Sequence, residues 1–296
     1  LERKAALMEK SPFLIAVCQP KVVREKEANL QKAKEMLAYA AARGARLAVL
    51  PEMFNCPYQA SLFPEYAESF PDGPSVKMLS TVSRELRLYV VGGSLPERAG
   101  GSVYNTSFLF GPGGNLLAAH RKIHLFDVDL PGGFRVRESS TLSAGNRLTV
   151  VPTELACLGL AVCYDIRFPE LFRLMALGGA QLVAVPAAFN LTTGPAHWEI
   201  TFRARAVDNQ FYLAGASPAR DREAGYVAYG HSLVVDPWGR VIAEAGEDEE
   251  VIFAEIDPGR IEKVRGELPL LRHRRADLYE LSWVAGKAAG GGGEKC

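Results

Sequence analysis

Leu158–Pro186 reads LGLAVCYDIRFPELFRLMALGGAQLVAVP, and its pattern decides the fold class. Leu158–Cys163 is an apolar run of the right length for one buried strand. A polar turn follows, and Pro169 stands where the first helical turn tolerates a missing N–H. Glu170–Gly178 has helical spacing and stops on glycine, and Leu182–Pro186 is a second apolar run. Strand, helix, strand in this order is the unit of an α/β domain with buried sheets.

The same order appears upstream. Phe13–Gln19 (FLIAVCQ) reads as a buried strand and alanine-rich Asn29–Arg43 as a helix stopped by Gly44. Leu47–Leu50 is the next strand, running into Pro51-Glu52, with a helix over Val76–Leu86 and a strand over Leu88–Gly92. Ser107–Ala118 (SFLFGPGGNLLA) resembles Ser232–Ala243 (SLVVDPWGRVIA), each being strand, Pro-x-Gly turn, strand. Two halves of this kind predict a duplicated arrangement of two similar sheets. No linker rich in Pro, Ser or Gly divides residues 12–262, which are therefore expected to form one domain. Residues 1–11 read as an N-terminal extension, and residues 263–284 as a C-terminal extension that packs on the domain or on a dimer partner. The glycine-rich end, residues 285–296, reads as a disordered tail.

Composition narrows the function. Of 296 residues, 48% are apolar, enough for a sizeable core, and Lys plus Arg balance Asp plus Glu at 34 each. A neutral chain offers no electrostatic footprint for nucleic acid or an anionic membrane. The basic run Arg272–Arg275 reads as a solvated face. No apolar run reaches the roughly 18 residues of a membrane span. Five cysteines, an odd number without a CxxC pair, argue against a disulfide framework and for a reducing compartment. That compartment is expected to be the cytoplasm. LERKAALMEK, which begins at Leu1, leaves import into a mitochondrion or plastid as the alternative.

The candidate chemistry sits at strand ends. Cys163 lies between an apolar strand and a helix start, where free N–H groups and the helix dipole favour a thiolate. The competing reading is a core cysteine like Cys18 or Cys157. Asp165 and Arg167 weigh against it, because charges crowd the end of a buried strand only for a reason. Glu52, in LAVLPEMF, also follows a strand, at the edge where α/β sheets assemble sites, although a helix-start glutamate would look the same. Lys122, in AAHRKIHLFD, is by itself compatible with a surface charge. Together the three supply a nucleophile, a proton carrier and an oxyanion partner for acyl transfer. A histidine base assembled in space is the rival to Glu52. His120 and His124, four apart, could share a helical face as metal ligands, but Arg121-Lys122 between them makes a dication unattractive. No cofactor and no metal are called for.

LPEMF, HRKIHLF and CYDIRFPEL, in this order, resemble the nitrilase superfamily of carbon–nitrogen hydrolases, over about Phe13 to Ile261. HRKIHLFDVDLPG, AFNLTTGPAHWE, RARAVDNQFY, GASPARD and GHSLVVDPWGRV resemble its omega-amidase branch. The resemblance implies a four-layer α-β-β-α sandwich with two mixed sheets and a homodimer or larger homo-oligomer. It puts the catalytic Glu–Lys–Cys set on Glu52, Lys122 and Cys163, acting through a Cys thioester. It implies hydrolysis of the terminal amide of 2-oxo dicarboxylic acid monoamides, such as 2-oxoglutaramate and 2-oxosuccinamate. Another aliphatic amidase or an N-carbamoyl amino acid hydrolase is the alternative, and a non-catalytic binding protein on the same scaffold a further one. A supporting glutamate falls on Glu138, although GGFRVR before it blurs the match, and Tyr164 is a second supporting candidate. Arg167 is either a binder of substrate carboxylate or a structural partner of Asp165 or Glu170. Tyr58, Phe189, Asn190, Thr192 and Thr193 complete the candidate substrate-binding set.

Overall fold

The computed structural model describes residues 11–130 and 134–284. The expected N-terminal extension, up to residue 10, and the expected disordered tail lie outside the described residues. The first half carries β1 (Phe13–Gln19), α1 (Lys26–Ala42), β2 (Leu47–Val49), the single turn α2 (Phe63–Tyr66), α3 (Pro74–Leu86), β3 (Tyr89–Val91), β4 (Leu95–Ala99), β5 (Ser102–Phe110) and β6 (Leu116–Arg121). A hairpin of β7 (Asp127–Leu130) and β8 (Phe134–Arg137) follows. The second half carries β9 (Val150–Pro152), β10 (Cys157–Leu160), α4 (Pro169–Leu177), β11 (Leu182–Pro186), α5 (Gly194–Asn209), β12 (Tyr212–Ala216), β13 (Leu233–Val235) and β14 (Val241–Glu244). Then β15 (Glu250–Ile256) returns to pair antiparallel with β1, and α6 (Pro258–Glu267) ends the regular structure.

Each half builds one mixed sheet. In the first, β1, β2 and β3 run parallel, β5 and β6 follow antiparallel, and β15 closes the other edge antiparallel to β1. In the second, β10, β11 and β12 run parallel, β13 and β14 follow antiparallel, and β9 closes the other edge antiparallel to β10. The duplication expected from the two Pro-x-Gly hairpins is thus present, with β4, which pairs antiparallel with β5, as the one strand of the first sheet that has no counterpart in the second. The turns match as well: Gly114 N–H bonds Gly111 O and Gly239 N–H bonds Asp236 O. Both glycines sit in left-handed backbone, at φ 81° and φ 82°. Register makes Leu47 and Leu182 equivalent, since each pairs with a tyrosine that starts the next parallel strand. LAVLPEMFN (Leu47–Asn55) then overlies LVAVPAAFN (Leu182–Asn190), and the counterpart of Glu52 is Ala187.

The layers follow from period-two alternation. Ile15 and Val17 of β1 face Leu158, Leu160, Leu182 and Ala184 of the second sheet in a core between the sheets. Ala16 and Cys18 point the other way, to Ala33, Leu37 and Ala40 of α1 and to Leu79 and Val82 of α3. On the far side, Val183 and Val185 meet Phe172 and Met175 of α4 and Trp198, Phe202 and Ala206 of α5. The fold is the expected four-layer α-β-β-α sandwich. Beyond α6, Leu271 and Trp283 of the C-terminal extension pack against the α4–α5 side.

Candidate active site

The strand expected to run to Cys163 stops at Leu160. Ala161 N–H still bonds Ala184 O of the neighbouring strand, but Val162 N–H turns to Oδ2 of Asp165 at 3.0 Å. The chain breaks into a tight 3-10 turn, Cys163–Arg167, before Pro169 opens α4. Cys163 sits at φ 45°, a left-handed conformation that costs a non-glycine residue about 1–2 kcal/mol and persists where its surroundings impose it. Its side chain is buried, 4% exposed.

Glu52 arrives from the other sheet. After β2 the turn through Pro51 is clasped to Ser94, whose N–H bonds Pro51 O at 3.2 Å and whose Oγ accepts Met53 N–H at 3.1 Å. Gly93 permits this approach, since a Cβ there would lie 2.1 Å from Pro51 O. Lys122 follows β6 directly, its N–H held by Asn105 O at 2.8 Å. Its ammonium reaches Oε1 of Glu52 at 3.0 Å and Oε2 of Glu138 at 2.9 Å, and all three side chains are fully buried. Glu138 is fixed in turn by Phe126 N–H at 2.6 Å and by the Tyr58 hydroxyl at 2.8 Å.

The oxygens of Glu52 are divided. Oε1 accepts from Lys122 and from Asn105 Nδ2 at 2.8 Å, whereas Oε2 has no hydrogen-bond partner among the described residues. The carboxylate also meets the Cys163 thiol, so Oε2 is the oxygen left for its proton. Burial raises the Glu52 carboxyl above the ordinary range and the charge of Glu138 adds to this, against the opposing pull of Lys122. Burial opposes charge on Lys122 too, but the two carboxylates outweigh it and hold the ammonium above its ordinary range. The Cys163 thiol is pushed well up, by burial first and by the Glu52 charge second. Burial and this neighbouring charge both disfavour the thiolate that the helix start was expected to favour. Pro169 and its helix lie a whole turn beyond the cysteine, and a buried carboxylate lies against it.

The other candidates are placed as follows. Tyr58 stands over Glu138 with its ring 4.5 Å from that of Tyr226. Tyr164 packs edge-on against Phe126 and Phe168. The Arg167 guanidinium lies 4.8 Å from the Phe189 ring, with NH1 3.2 Å from Nδ1 of His197. Among the described residues it forms no ion pair with Asp165 or Glu170; Asp165 is held by His120 and His124 instead. Oδ1 of Asn190 accepts the N–H groups of Thr192 and Thr193 and the Thr193 hydroxyl, so those donors serve the turn into α5. His120 and His124 do not share a helix, and the carboxylate beside Cys163 is that of Glu52. Among the described residues no group of three or more His, Cys, Asp and Glu is arranged to hold a metal ion. Cys18, Cys56 and Cys163 are free thiols.

Three contributors were missed. Asn105 shares a run with Thr106 and Ser107, three fully buried polar side chains on one apolar strand, and that run is a readable signal. Tyr226, whose hydroxyl bonds Ala188 O at 2.5 Å, lies in a loop with no local signature. Ala188, whose N–H faces the Cys163 sulfur, acts through its backbone. A cavity of about 70 Å³ is lined by Glu52, Tyr58, Ala188 and Tyr226, and a groove that includes Arg135 and Arg137 shares both tyrosines with it.

Known proteins share this arrangement. The carbon-nitrogen hydrolase family model matches residues 14–266. The omega-amidase NIT2 of Danio rerio is 51% identical over 274 residues, 93% of this chain and 99% of the relative. The chloroplastic omega-amidase of Arabidopsis thaliana is 50% identical, over 91% of this chain and 74% of the relative. The crystal structure of Saccharomyces cerevisiae Nit3, a member of branch 10 of the nitrilase superfamily, matches with a TM-score of 0.83 at 42% identity, over 90% of this chain and 97% of that one. With the family model spanning most of its length, and with relatives at half identity end to end, the chain belongs to the carbon–nitrogen hydrolase family, the nitrilase superfamily.

Proposed function

We infer that this protein is an omega-amidase, which hydrolyses the terminal amide of 2-oxo dicarboxylic acid monoamides to the dicarboxylate and ammonia. The observation that carries the chemistry is the divided Glu52 carboxylate, with Oε1 held by Lys122 and Asn105 and Oε2 open beside a buried thiol. The resting thiol gives its proton to Glu52 as sulfur attacks the amide carbon. Lys122 stabilises the developing oxyanion, and Glu138 keeps its ammonium aimed. Glu52 returns the proton to the departing nitrogen, ammonia leaves, and a thioester remains. Glu52 then takes a proton from water as it attacks the thioester, and hands that proton to the departing sulfur, so the dicarboxylate leaves and the Cys163 thiol and Glu52 carboxylate are restored.

For the far end of the substrate we propose Arg167, with Tyr58 and Phe189 as apolar walls. Arg167 has no carboxylate partner among the described side chains and lies over Phe189, next to Ala188. A buried carboxylate needs such a fork. Asn190, Thr192 and Thr193 enter this proposal as the turn that positions Phe189, and Tyr164 as a ring beside the Arg167 guanidinium.

Ammonia release from a panel of 2-oxoglutaramate, 2-oxosuccinamate, glutamine, asparagine, a carbamoyl amino acid and a simple nitrile tests the assignment. The 2-oxo amides are expected to lead; a carbamoyl substrate in front would replace it. We further propose a homodimer. Ile200 and Val207 on the outer face of α5 are 64% and 42% exposed, beside Trp238 at 49%, an apolar face on which a second copy fits. Sedimentation at micromolar concentration checks this, and a monomer would refute it. No described helix is long and apolar enough to cross a membrane. The cytoplasm is the compartment proposed, with a mitochondrion or plastid as the alternative.

A further inference from the structure

One carboxylate outside the reacting set touches both segments that carry it. Asp165 is fully buried. Its Oδ2 accepts Val162 N–H at 3.0 Å and His120 Nε2–H at 3.1 Å. Its Oδ1 accepts the His124 backbone N–H at 2.9 Å and His124 Nδ1–H at 2.7 Å. Its own N–H bonds Val162 O at 3.0 Å. The residue before Cys163 is therefore clasped twice, and the residues two before and two after Lys122 are held by the same group. Both histidines are braced from behind. Nδ1 of His120 meets the Thr149 hydroxyl at 3.0 Å, and the His124 ring stacks on Phe168 with centroids 3.6 Å apart.

We propose that Asp165 is a positioning residue that sets the placement of the Cys163 sulfur relative to the Lys122 ammonium. The proposal rests on the reading of Cys163 as nucleophile and Lys122 as oxyanion donor. The two come from different sheets, so nothing in either sheet's own hydrogen bonding fixes their separation. Asp165 bridges them with four accepted hydrogen bonds and holds the turn that keeps Cys163 at φ 45°. The geometry matters because sulfur and ammonium must address one carbonyl group from two sides, where a displacement of about 1 Å costs about 100-fold.

Asp165→Asn keeps the shape but replaces one acceptor oxygen by an NH2 group, so in either amide orientation one pair of donors, Val162 with His120 or the two of His124, loses its acceptor. Its kcat on 2-oxoglutaramate is expected to fall about 100-fold with KM within about threefold, since Asp165 does not touch the substrate's far end. Iodoacetamide alkylation of Cys163, followed by mass spectrometry, is expected to slow about tenfold as the turn relaxes. His124→Ala removes a partly exposed ring and leaves the Val162 clasp intact. It is expected to lower kcat about tenfold while alkylation, which develops no oxyanion, stays within about threefold of wild type. If Asp165→Asn does not fold, His124→Ala alone decides. A kcat within about threefold of wild type in the folded variant, with only a lowered Tm, makes Asp165 a structural prop and overturns the proposal. Cys163→Ala separates the two levels. Turnover by that variant would overturn the reading of the site, whereas a dead Cys163→Ala beside a fully active Asp165→Asn overturns the positioning role alone.

Discussion

In the proposed reaction Cys163, Glu52 and Lys122 act through burial, which denies each the hydration it would have in water. Cys163→Ala is expected to abolish ammonia release while leaving the circular dichroism unchanged; substantial turnover would remove sulfur from the reaction. Lys122→Ala is expected to lose about 10²- to 10³-fold in kcat, the usual cost of an oxyanion donor. The pH profile of kcat/KM follows from the same burial. Glu52 must be ionised to accept the thiol proton, and its carboxyl lies above the ordinary range. Activity should therefore rise with pH along a limb displaced upward from that of an ordinary glutamate. Lys122 is held charged above its usual range, so its deprotonation should add no falling limb near neutrality. An acid limb at the position of an exposed glutamate would contradict this account. Glu52 and Cys163 stood out in the sequence because each follows an apolar run, where a polar side chain has few structural reasons to be, whereas Lys122, after LLAAHR, was singled out by the resemblance of HRKIHLF. Asn105 was overlooked although it stands in a polar run on an apolar strand, and Tyr226 escaped because its contacts exist only once distant segments meet.

At the scale of elements, the turn after Cys163 and the two hairpin turns carry separate consequences. Arg167 lies on the 3-10 turn with no acidic partner among the described residues, so Arg167→Lys should leave Tm nearly unchanged. It should lower kcat/KM for a carboxylate-bearing amide by about 10- to 100-fold and spare a neutral amide, because lysine lacks the fork. An unchanged ratio between the two substrates would retire Arg167 as the carboxylate partner. The hairpin glycines are conformationally alike but not equally replaceable. A Cβ on Gly114 would meet the Ser80 carbonyl oxygen at 2.6 Å, whereas on Gly239 it would meet the end of the Val207 side chain at 2.4 Å. Backbone yields less than a methyl group, so Gly114→Ala should lower Tm more than Gly239→Ala; the reverse order would contradict this. The elements read from the sequence lie within a few residues of those observed, whereas α5, α6, β4, β7, β8, β9, β12 and β15 were not read; the clearest misplacement is the strand before Cys163. That strand looks continuous in sequence because Ala161 and Val162 are apolar, but the Asp165 side chain captures Val162 N–H and ends the ladder.

Over the whole molecule, the pairing of two like sheets was foreseeable from the repeated hairpins, but its asymmetry was not. Glu52 has Ala187 as its counterpart, so the halves are alike in fold and unlike in chemistry. In the proposed reaction the first sheet and its loops bring the base, the ammonium and Glu138, and the second brings sulfur. Catalysis is therefore a property of the seam. A small slide of one sheet on the other would part the reagents while leaving every strand, helix and backbone ladder intact. The enzyme should thus report its own shear: in rising urea or under pressure, turnover should fade before far-ultraviolet ellipticity changes, and return at once on release. Coincident loss of both signals would mean that the sheets do not slip, and that the seam is as rigid as the strands on either side of it.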